Sequence, residues 1–363
     1  MKSALTFVYS GGRKAKLNET SAGDFFYGFK KLKNKGLNVK IIELSNKKSS
    51  LFDRLIVKIT RLPIYIIKTL NNKNYSVIRN SKNLLFINES SYLSFLPISI
   101  FLNRFKETNV CFLPMGLMEK YSKGSRLSKF LIEFSIKKTD KVLFIGRGEK
   151  EAASRYFNKY SNKFHYIPFG VDADFWQYKE KKDYSLKKIL FIGNDLNRDF
   201  ETLYSIASKR TDLEFTVITN TDSKGFSSLK NTKFISGNWR ESKLSDQFLL
   251  DVYQSCDLVI LPIRNSTQPS GQSVAMQAMS TGAPVMISKT EGFWDFESFK
   301  DNENIFFVGG ASYDEWDKKI DSVLQSSNIL KTVSMNGRKT IEDKFTLDRY
   351  LQNLKDYLED IEI

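Results

Sequence analysis

A short run of small and polar residues between two strand-like segments is the part of the sequence best suited to chemistry. Residues 270–273, Ser-Gly-Gln-Ser, follow the apolar segment 257–265 and lead into a helical pattern that stops near Gly282. Backbone N–H groups at the start of such a helix point into the crevice at the carboxyl end of the preceding strand, where they can bind an anion. The same pattern also fits an ordinary turn between a strand and a helix.

A second glycine-containing loop follows the first strand-like segment. Gly11 and Gly12 come directly after the apolar run 4–9. Glycines at this place let the backbone approach a ligand closely or permit a tight turn, and both interpretations remain open. Gly146 and Gly148 also follow a strand, but they lack the third glycine of a dinucleotide-binding fingerprint and come late in their half of the chain.

The residues that most often bind metals or act as nucleophiles are scarce. The chain has one histidine, His165, and two cysteines, Cys111 and Cys256. Neither a zinc site nor a Ser-His-Asp triad can be built from this set, so we expect no metal and a structural role for His165. Two isolated thiols in apolar surroundings indicate buried cysteines in a reducing compartment.

Strand and helix patterns alternate along both halves of the chain, which predicts an α/β protein with parallel sheets. The predicted strands are 4–9, 38–44, 84–88, 110–113, 142–145 and 165–168 in the first half, and 188–192, 214–219, 257–265, 285–287 and 304–308 in the second. Helices are predicted over 22–35, 199–208 and 246–255, and three more after residue 314.

A polar, lysine-rich connector at 177–187 separates the two series of strands. We therefore predict two Rossmann-like domains in tandem, residues 1–172 and 173–363, with C-terminal helices able to pack back on the first. The functional crevice of such a pair lies between the domains, at the carboxyl ends of the strands.

Charge is distributed unevenly. Residues 1–172 contain 32 Lys and Arg against 12 Asp and Glu, whereas the remainder contains 24 against 29. The first half is therefore expected to meet an anionic partner, such as a phosphorylated substrate or anionic lipid. Nucleic acid is not expected, because no recognition module or aromatic–basic interleaving is present. The first apolar run is too short for a signal peptide, which favours a cytoplasmic location.

Residues 49–70 predict a basic amphipathic helix with a capping-box spacing between Ser50 and Asp53. Such a helix can lie in a membrane interface, or it can pack on the sheet and turn a basic side to solvent. The basic segment 125–138 has the same two interpretations. A peripheral position at the inner face of the cell membrane is one of the resulting hypotheses.

Several segments resemble the landmarks of family-4 glycosyltransferases. They are "YIPFGVDADFW" at 166–176, "KKILFIGNDLNRDFETL" at 187–203, "SGQSVAMQAMSTGAPVM" at 270–286 and the tail 336–354. The resemblance is strong over 164–363 and weak before that. It implies the two-domain GT-B fold and transfer of a hexosyl group from a nucleoside-diphosphate sugar with retention, without a metal or another cofactor. We expect the acceptor to be a glycan or lipid-linked, in surface polysaccharide or lipopolysaccharide synthesis. The hypothesis of a lipid carrier rests on the basic first half of the chain.

The resemblance assigns roles to particular residues. Arg198 stands where the family has a basic residue on the donor pyrophosphate, and it is the residue expected to stabilise the leaving group. Asn194, after Gly193, replaces an arginine usual in the family. The residues expected to bind donor or phosphate are Gly11, Gly12, Gly193, Asn194, Arg198, Ser270, Gly271, Gln272, Ser273 and Gln277.

Three departures from the family pattern bear on activity. The family's two glutamates, eight positions apart, correspond to Pro269 and Gln277, and its first-domain histidine corresponds to Met115. Gln277 can still bond ribose hydroxyls, but Pro269 offers a sugar no carboxylate. A catalytically degenerate protein that binds a nucleotide sugar or a partner therefore stands as the alternative. A nucleotide-sugar epimerase on the same fold would need carboxylate and histidine groups that are not evident.

Overall fold

Two parallel six-stranded sheets follow one another along the chain. The computed structural model describes every residue except 1, 18, 71, 104–107, 181–182, 221, 223, 238–243, 311, 360 and 362–363. The first sheet has the order β2-β1-β3-β4-β5-β6 and comprises β1 Ser3–Tyr9, β2 Val39–Glu43, β3 Ser81–Ile87, β4 Asn109–Leu113, β5 Lys141–Phe144 and β6 Phe164–Tyr166. The second has the order β12-β11-β10-β7-β8-β9 and comprises β7 Lys188–Ile192, β8 Glu214–Thr219, β9 Thr232–Ser236, β10 Leu258–Leu261, β11 Val285–Ser288 and β12 Phe306–Val308.

Helices connect these strands and cover the sheets. The first sheet is accompanied by α1 Phe29–Asn34, α2 Leu51–Thr60, α3 Asn72–Arg79, α4 Glu89–Asn103, α5 Leu117–Ser122, α6 Arg126–Lys138 and α7 Arg147–Tyr156. The second is accompanied by α8 Phe200–Lys209, α9 Asp246–Ser255, α10 Gln272–Ser280, α11 Tyr313–Leu324, α12 Ser327–Lys344 and α13 Leu347–Lys355. We call the parts that carry the two sheets the first and second domains. Among the described residues, no helix is both long and apolar enough to cross a membrane.

The central strands are buried on both faces, which explains their nearly continuous apolar sequences. Every residue of β4 and β10 is buried, and Phe7 in β1 lies opposite Ile41 of β2 and Leu85 of β3. The predicted α/β class and its two Rossmann-like units are confirmed. The connection between the sheets runs from 167 to 187, and the boundary predicted at residue 172 falls within it.

Three local predictions were wrong. The helix predicted over 49–70 spans only Leu51–Thr60 and ends where Arg61 takes a left-handed conformation. The segment 22–35 is not one helix, because a 3₁₀ turn at Gly23–Phe26 is followed by left-handed conformations at Tyr27 and Gly28 before α1 begins. The chain must pass close to α13 here, since a Cβ on Gly28 would lie 2.4 Å from Cδ2 of Leu351. Strand β9 was not predicted, because it is a half-exposed edge strand without an apolar run.

The C-terminal helices return to the first domain. Val171 donates a backbone hydrogen bond to Phe345 and accepts one from Leu347, each 2.8 Å long. Further along, the Tyr357 carbonyl accepts from Asn109 Nδ2 at 2.9 Å, beside the first sheet. The tail therefore contacts the covalent connection at Val171 and the first domain, away from that connection, at Asn109.

Candidate functional site

Two neighbouring cavities lie between the domains, where the carboxyl ends of both sheets meet. Their volumes are about 490 and 180 Å³. They share the residues Tyr27, Phe169, Asp195, Arg198 and Ser273. Because loops from both domains line them, these cavities form the crevice expected for a tandem pair of Rossmann-like domains.

Arg198 is the buried cation of this crevice. It lies in the loop between β7 and α8, where its backbone pairs with Ile263. The side chain is almost fully buried, and its Nε lies 3.1 Å from Oδ2 of the partly exposed Asp195 without hydrogen-bond geometry. Nη1 has no hydrogen-bond partner within the described part of the chain. Burial lowers the pKa of the guanidinium, so an anion placed here would relieve an electrostatic cost.

Two glycines make room for this guanidinium. A Cβ on Gly193 would lie 2.2 Å from Nε of Arg198, and one on Gly271 would lie 2.7 Å from its Nη1. Gly271 also has a φ of 80°, which favours glycine. The small residues of the loop are thus needed to seat Arg198 beside the start of α10.

The start of α10 supplies N–H groups to the same cavity. Within the described residues, the backbone N–H groups of Gly271, Gln272 and Ser273 have no hydrogen-bond partner. Ser273 is exposed to the crevice, whereas the Gln272 side chain crosses to the first domain and donates to the Ile145 carbonyl at 3.0 Å. Ser270 Oγ accepts a bond of 2.9 Å from an asparagine of the Arg198 loop. Free amides beside an unsatisfied arginine form an arrangement suited to a phosphate group.

Asn194 and Gln277 line the larger cavity, but protein groups already engage their amides. Asn194 Oδ1 accepts from Thr219 Oγ1 at 3.0 Å, and its Nδ2 donates to the Gly237 carbonyl at 3.2 Å. Gln277 Nε2 donates to Asp24 Oδ2 at 2.8 Å, while its Oε1 accepts from a tyrosine hydroxyl at 3.3 Å. Both side chains therefore shape the cavity wall through bonds within the protein.

The glycine pair of the first domain lies elsewhere. Gly11 and Gly12 have φ values of 119° and 88°, and neither lines the two cavities. A Cβ on Gly11 would lie 2.8 Å from Oδ1 of Asn46 and 3.1 Å from the Leu44 carbonyl oxygen. Close packing against the loop after β2 accounts for this glycine.

Sequence reasoning missed four charged residues that line the larger cavity: Asp24, Arg13, Asp195 and Asp246. Asp24 is buried and accepts bonds from Gln277 and from Trp176 Nε1, the latter at 3.0 Å. Burial raises the pKa of its carboxyl to about 6, against the opposing effect of these two bonds. Asp24 could not be identified from the sequence because it fell inside a predicted helix. Only the turn that replaces this helix directs the Asp24 side chain to the cavity.

Arg13 comes directly after the glycine pair, on the first-domain wall. Its guanidinium carbon lies 5.0 Å from the ring centres of Tyr9 and Phe25, and Nε donates to the Phe25 carbonyl at 2.9 Å. Aromatic contacts on both sides fix the direction of this cation. The larger cavity is thus flanked by an arginine from each domain.

Two of the three positions that depart from the family pattern lie around the smaller cavity, whereas the third, Gln277, lines the larger one. Met115 and Pro269 both line the smaller cavity, and a Cβ on Gly146 would lie 3.1 Å from Cβ of Pro269. The Met115 N–H donates to Glu89 Oε1 at 2.9 Å, and the buried Glu149 accepts from the next residue of the loop at 3.1 Å. Burial and then the charge of Glu89 raise the pKa of Glu149 to about 7.

A third cavity, of about 590 Å³, lies at the opposite edge of the second sheet. Its lining includes Lys188, Glu214 and Lys233 at the amino ends of β7 to β9. It contains neither a helix start nor a buried unpartnered cation. The interdomain crevice is therefore the better candidate for a binding site, although each of its two cavities is smaller than this one.

Comparison with known proteins bears on the fold. No family model and no curated protein matches the sequence. Sucrose-phosphate synthase from Thermosynechococcus elongatus superposes with a TM-score of 0.72 at 13% identity, over 98% of each chain. HepE from Anabaena, solved in complex with UDP and glucose, gives 0.66 at 12% identity over 99% of this chain and all of its own.

The chain has the GT-B fold. The starch synthase IV catalytic domain from Arabidopsis thaliana, bound to ADP and acarbose, is a further similar structure, with a TM-score of 0.64 at 12% identity over 98% and 99% of the chains. At such identities the similarity concerns the fold. The residues that line the GT-B crevice must carry any statement about activity.

Proposed function

We propose that the chain is a retaining glycosyltransferase that moves a hexosyl group from a nucleoside-diphosphate sugar to a glycan or lipid-linked acceptor. The proposal includes donor binding by residues 173–363 and acceptor binding by residues 1–172, independence of metal and a role in surface polysaccharide synthesis. It rests on one observation above all. Arg198 is buried, and within the described residues its Nη1 and the nearby amides of residues 271–273 have no hydrogen-bond partner.

This arrangement suits the chemistry of a departing diphosphate. When the bond between sugar and phosphate breaks, negative charge develops on the leaving oxygen, and fixed donors nearby stabilise it most effectively. Arg198 supplies a charge-assisted donor, and Gly271, Gln272 and Ser273 supply neutral ones. The leaving phosphate takes the acceptor's proton on the same face, so no protein base is required. The chain's main contribution is then positioning and electrostatic stabilisation.

Thermal unfolding with UDP, GDP, ADP, CMP and their sugars tests the donor site. A ligand at a hundredfold excess over its dissociation constant stabilises the folded state by about 2.7 kcal/mol. We expect one diphosphate nucleotide to raise the melting temperature of the wild type and not that of Arg198→Ala. Arg264→Ala is the matched control, because Arg264 is exposed close to the same loop and lines neither cavity. Equal responses in all three proteins would refute the assignment of Arg198.

A second candidate function is nucleotide-sugar binding without transfer. It is favoured by Pro269 and Met115, which place no carboxylate or imidazole at the smaller cavity. The two candidates differ in turnover. The transferase is supported if release of the nucleoside diphosphate depends on an acceptor and persists in EDTA. The glycosylated product should also keep the anomeric configuration of the donor sugar. Binding without release across a panel of lipid-linked and free glycans supports the alternative.

A further inference from the structure

Helix α2 buries two polar residues and exposes most of its apolar residues. Asp53 and Thr60 are buried, whereas Leu51 is 81% exposed and three further apolar side chains are each more than half exposed. Those three are Phe52, Leu55 and Ile59. The second of the two sequence interpretations, an apolar face packed on the sheet, is therefore wrong. A helix in water gains nothing from such an orientation unless another surface covers the apolar face.

Polar contacts fix this orientation. Ser50 Oγ caps the helix by accepting from the Asp53 N–H at 3.0 Å, and Asp53 Oδ1 accepts from the Ile67 N–H at 3.0 Å. At the other end, the Thr60 carbonyl accepts from Ser128 Oγ at 2.5 Å. Rotation of the helix to hide its apolar side would break these bonds and leave a buried carboxylate without them.

Helix α6 continues the same surface. Ser128, which bonds to α2, and Ser135 are buried on its inner side. Phe130 is 63% exposed, and Leu127 is exposed as well. We call the outer side chains of the two helices the apolar surface; they are Leu51, Phe52, Leu55, Ile59, Leu127 and Phe130.

Basic side chains lie on, or directly after, the same two helices. Arg54, Lys58, Arg61 and Arg126 are all exposed. The acidic residue within α2 is buried, and Glu133 within α6 forms an ion pair with Lys159. Exposed apolar groups beside cations that form no ion pair within the described part of the chain match the boundary between acyl chains and anionic headgroups.

We propose that the apolar surface binds an anionic phospholipid bilayer, with Phe52 and Phe130 entering the interface and the basic residues contacting lipid phosphates. A second copy of the chain fits this surface less well, because a symmetric contact would bring the two sets of basic residues together. A lipid headgroup supplies the opposite charge instead. The inference concerns a surface outside the crevice and stands whether or not the chain transfers sugars.

The surface lies on the side of the first domain that carries the crevice. Helix α2 follows the carboxyl end of β2, and α5 and α6 follow the carboxyl end of β4. The carboxyl ends of the strands also line the two cavities, through Met115 after β4 and Ile145 after β5. Together with the proposed function, this placement would let an acceptor keep its lipid portion in the bilayer while its headgroup enters the crevice.

Vesicle flotation of the full chain tests the proposal. We expect binding to phosphatidylcholine vesicles that contain about one-third phosphatidylglycerol, and little binding to pure phosphatidylcholine. The triple variant F52Q/L55Q/I59Q should lose more than about tenfold in affinity, because its apolar anchors are removed. The variant R54Q/K58Q should lose about fivefold for each charge, and wild-type binding should weaken with added salt.

Controls separate this surface from general effects of substitution. Met335→Gln changes an apolar side chain that is also more than half exposed, but lies in the second domain on α12. It should bind vesicles like the wild type. Unchanged melting temperatures of the triple variant, with an unchanged nucleotide response, would show that fold and donor site are intact. The proposal would be overturned if the wild type did not bind anionic vesicles or if the triple variant bound them equally well. It would also be overturned if the wild type formed a dimer that the triple variant does not form.

Discussion

Replacement of Arg198 by methionine should raise the stability of the ligand-free protein while abolishing its response to nucleotide. Methionine fills a volume similar to that of the arginine stem and carries no charge. In the wild type the guanidinium is buried, Nη1 is unpartnered, and the ion pair is made with a carboxylate that is 37% exposed. The gain in stability of the ligand-free protein and the loss of its response to nucleotide therefore have the same structural cause.

The magnitude follows from these contacts. An unsatisfied buried donor costs about 1–3 kcal/mol, and more when it is charged. Loss of a partly exposed ion pair costs about 0–1 kcal/mol. The difference is a net stabilisation of about 0–3 kcal/mol, centred at about 1.5 kcal/mol. For a domain of this size each kcal/mol shifts the melting temperature by about 2–4 °C, so a rise of several degrees is expected.

Differential scanning calorimetry measures both effects. It compares the wild type, Arg198→Met and Arg264→Met, each with and without the nucleotide that stabilises the wild type. Arg264→Met reports what a loss of charge does at an exposed position close by. A lower melting temperature for ligand-free Arg198→Met would mean that Arg198 is satisfied in the apo protein and serves a structural purpose. A nucleotide response retained in that variant would refute its place in the donor site.

Three further predictions test the surroundings of the crevice. Because the pKa of Asp24 is raised to about 6, its carboxyl costs stability as pH rises through that value. The free energy of unfolding of Asp24→Asn, relative to that of the wild type, should therefore increase from pH 4 to 7 in denaturant titrations. A difference that stays constant with pH would contradict the burial argument. Gly193→Ala should displace Arg198 and weaken nucleotide binding by about tenfold or more, measured by calorimetry, whereas Gly309→Ala should not, since nothing lies within 4 Å of its Cβ position. Gly148→Ala places a Cβ 2.0 Å from a second-domain carbonyl, so small-angle scattering should show a larger radius of gyration; unchanged scattering would mean that the interface relaxes locally.

The sheets could be predicted because their strands are buried on both faces. The strands predicted over 188–192 and 214–219 correspond to β7 and β8 without error. Strand β9 could not be predicted, because an edge strand exposes half its residues and loses the apolar run. The break at Tyr27 and Gly28 was also hidden, since contact with α13, distant in sequence, determines it.

The candidate site was predictable where backbone geometry alone creates it. In an α/β sequence, a loop of small residues before a helix indicates a phosphate site. The loop before α10 lies in the crevice as expected. Asp24 and Arg13 could not be found, because their direction depends on the turn at 27–28 and on the aromatic contacts of Arg13. The orientation of α2 was equally undetermined, since an amphipathic pattern identifies two faces without saying which one is covered.

The pairing of Val171 with residues 345–347 has a mechanical consequence for the domains. The chain passes from one domain to the other in the connection that contains Val171 and comes back near Phe345, and the two passages are hydrogen-bonded to each other. Translation of the domains apart would stretch both passages, whereas rotation about an axis through this point would leave both intact. Contacts away from the axis, such as that between Gln272 and Ile145, then change most. The crevice can widen to admit a substrate while neither sheet is disturbed.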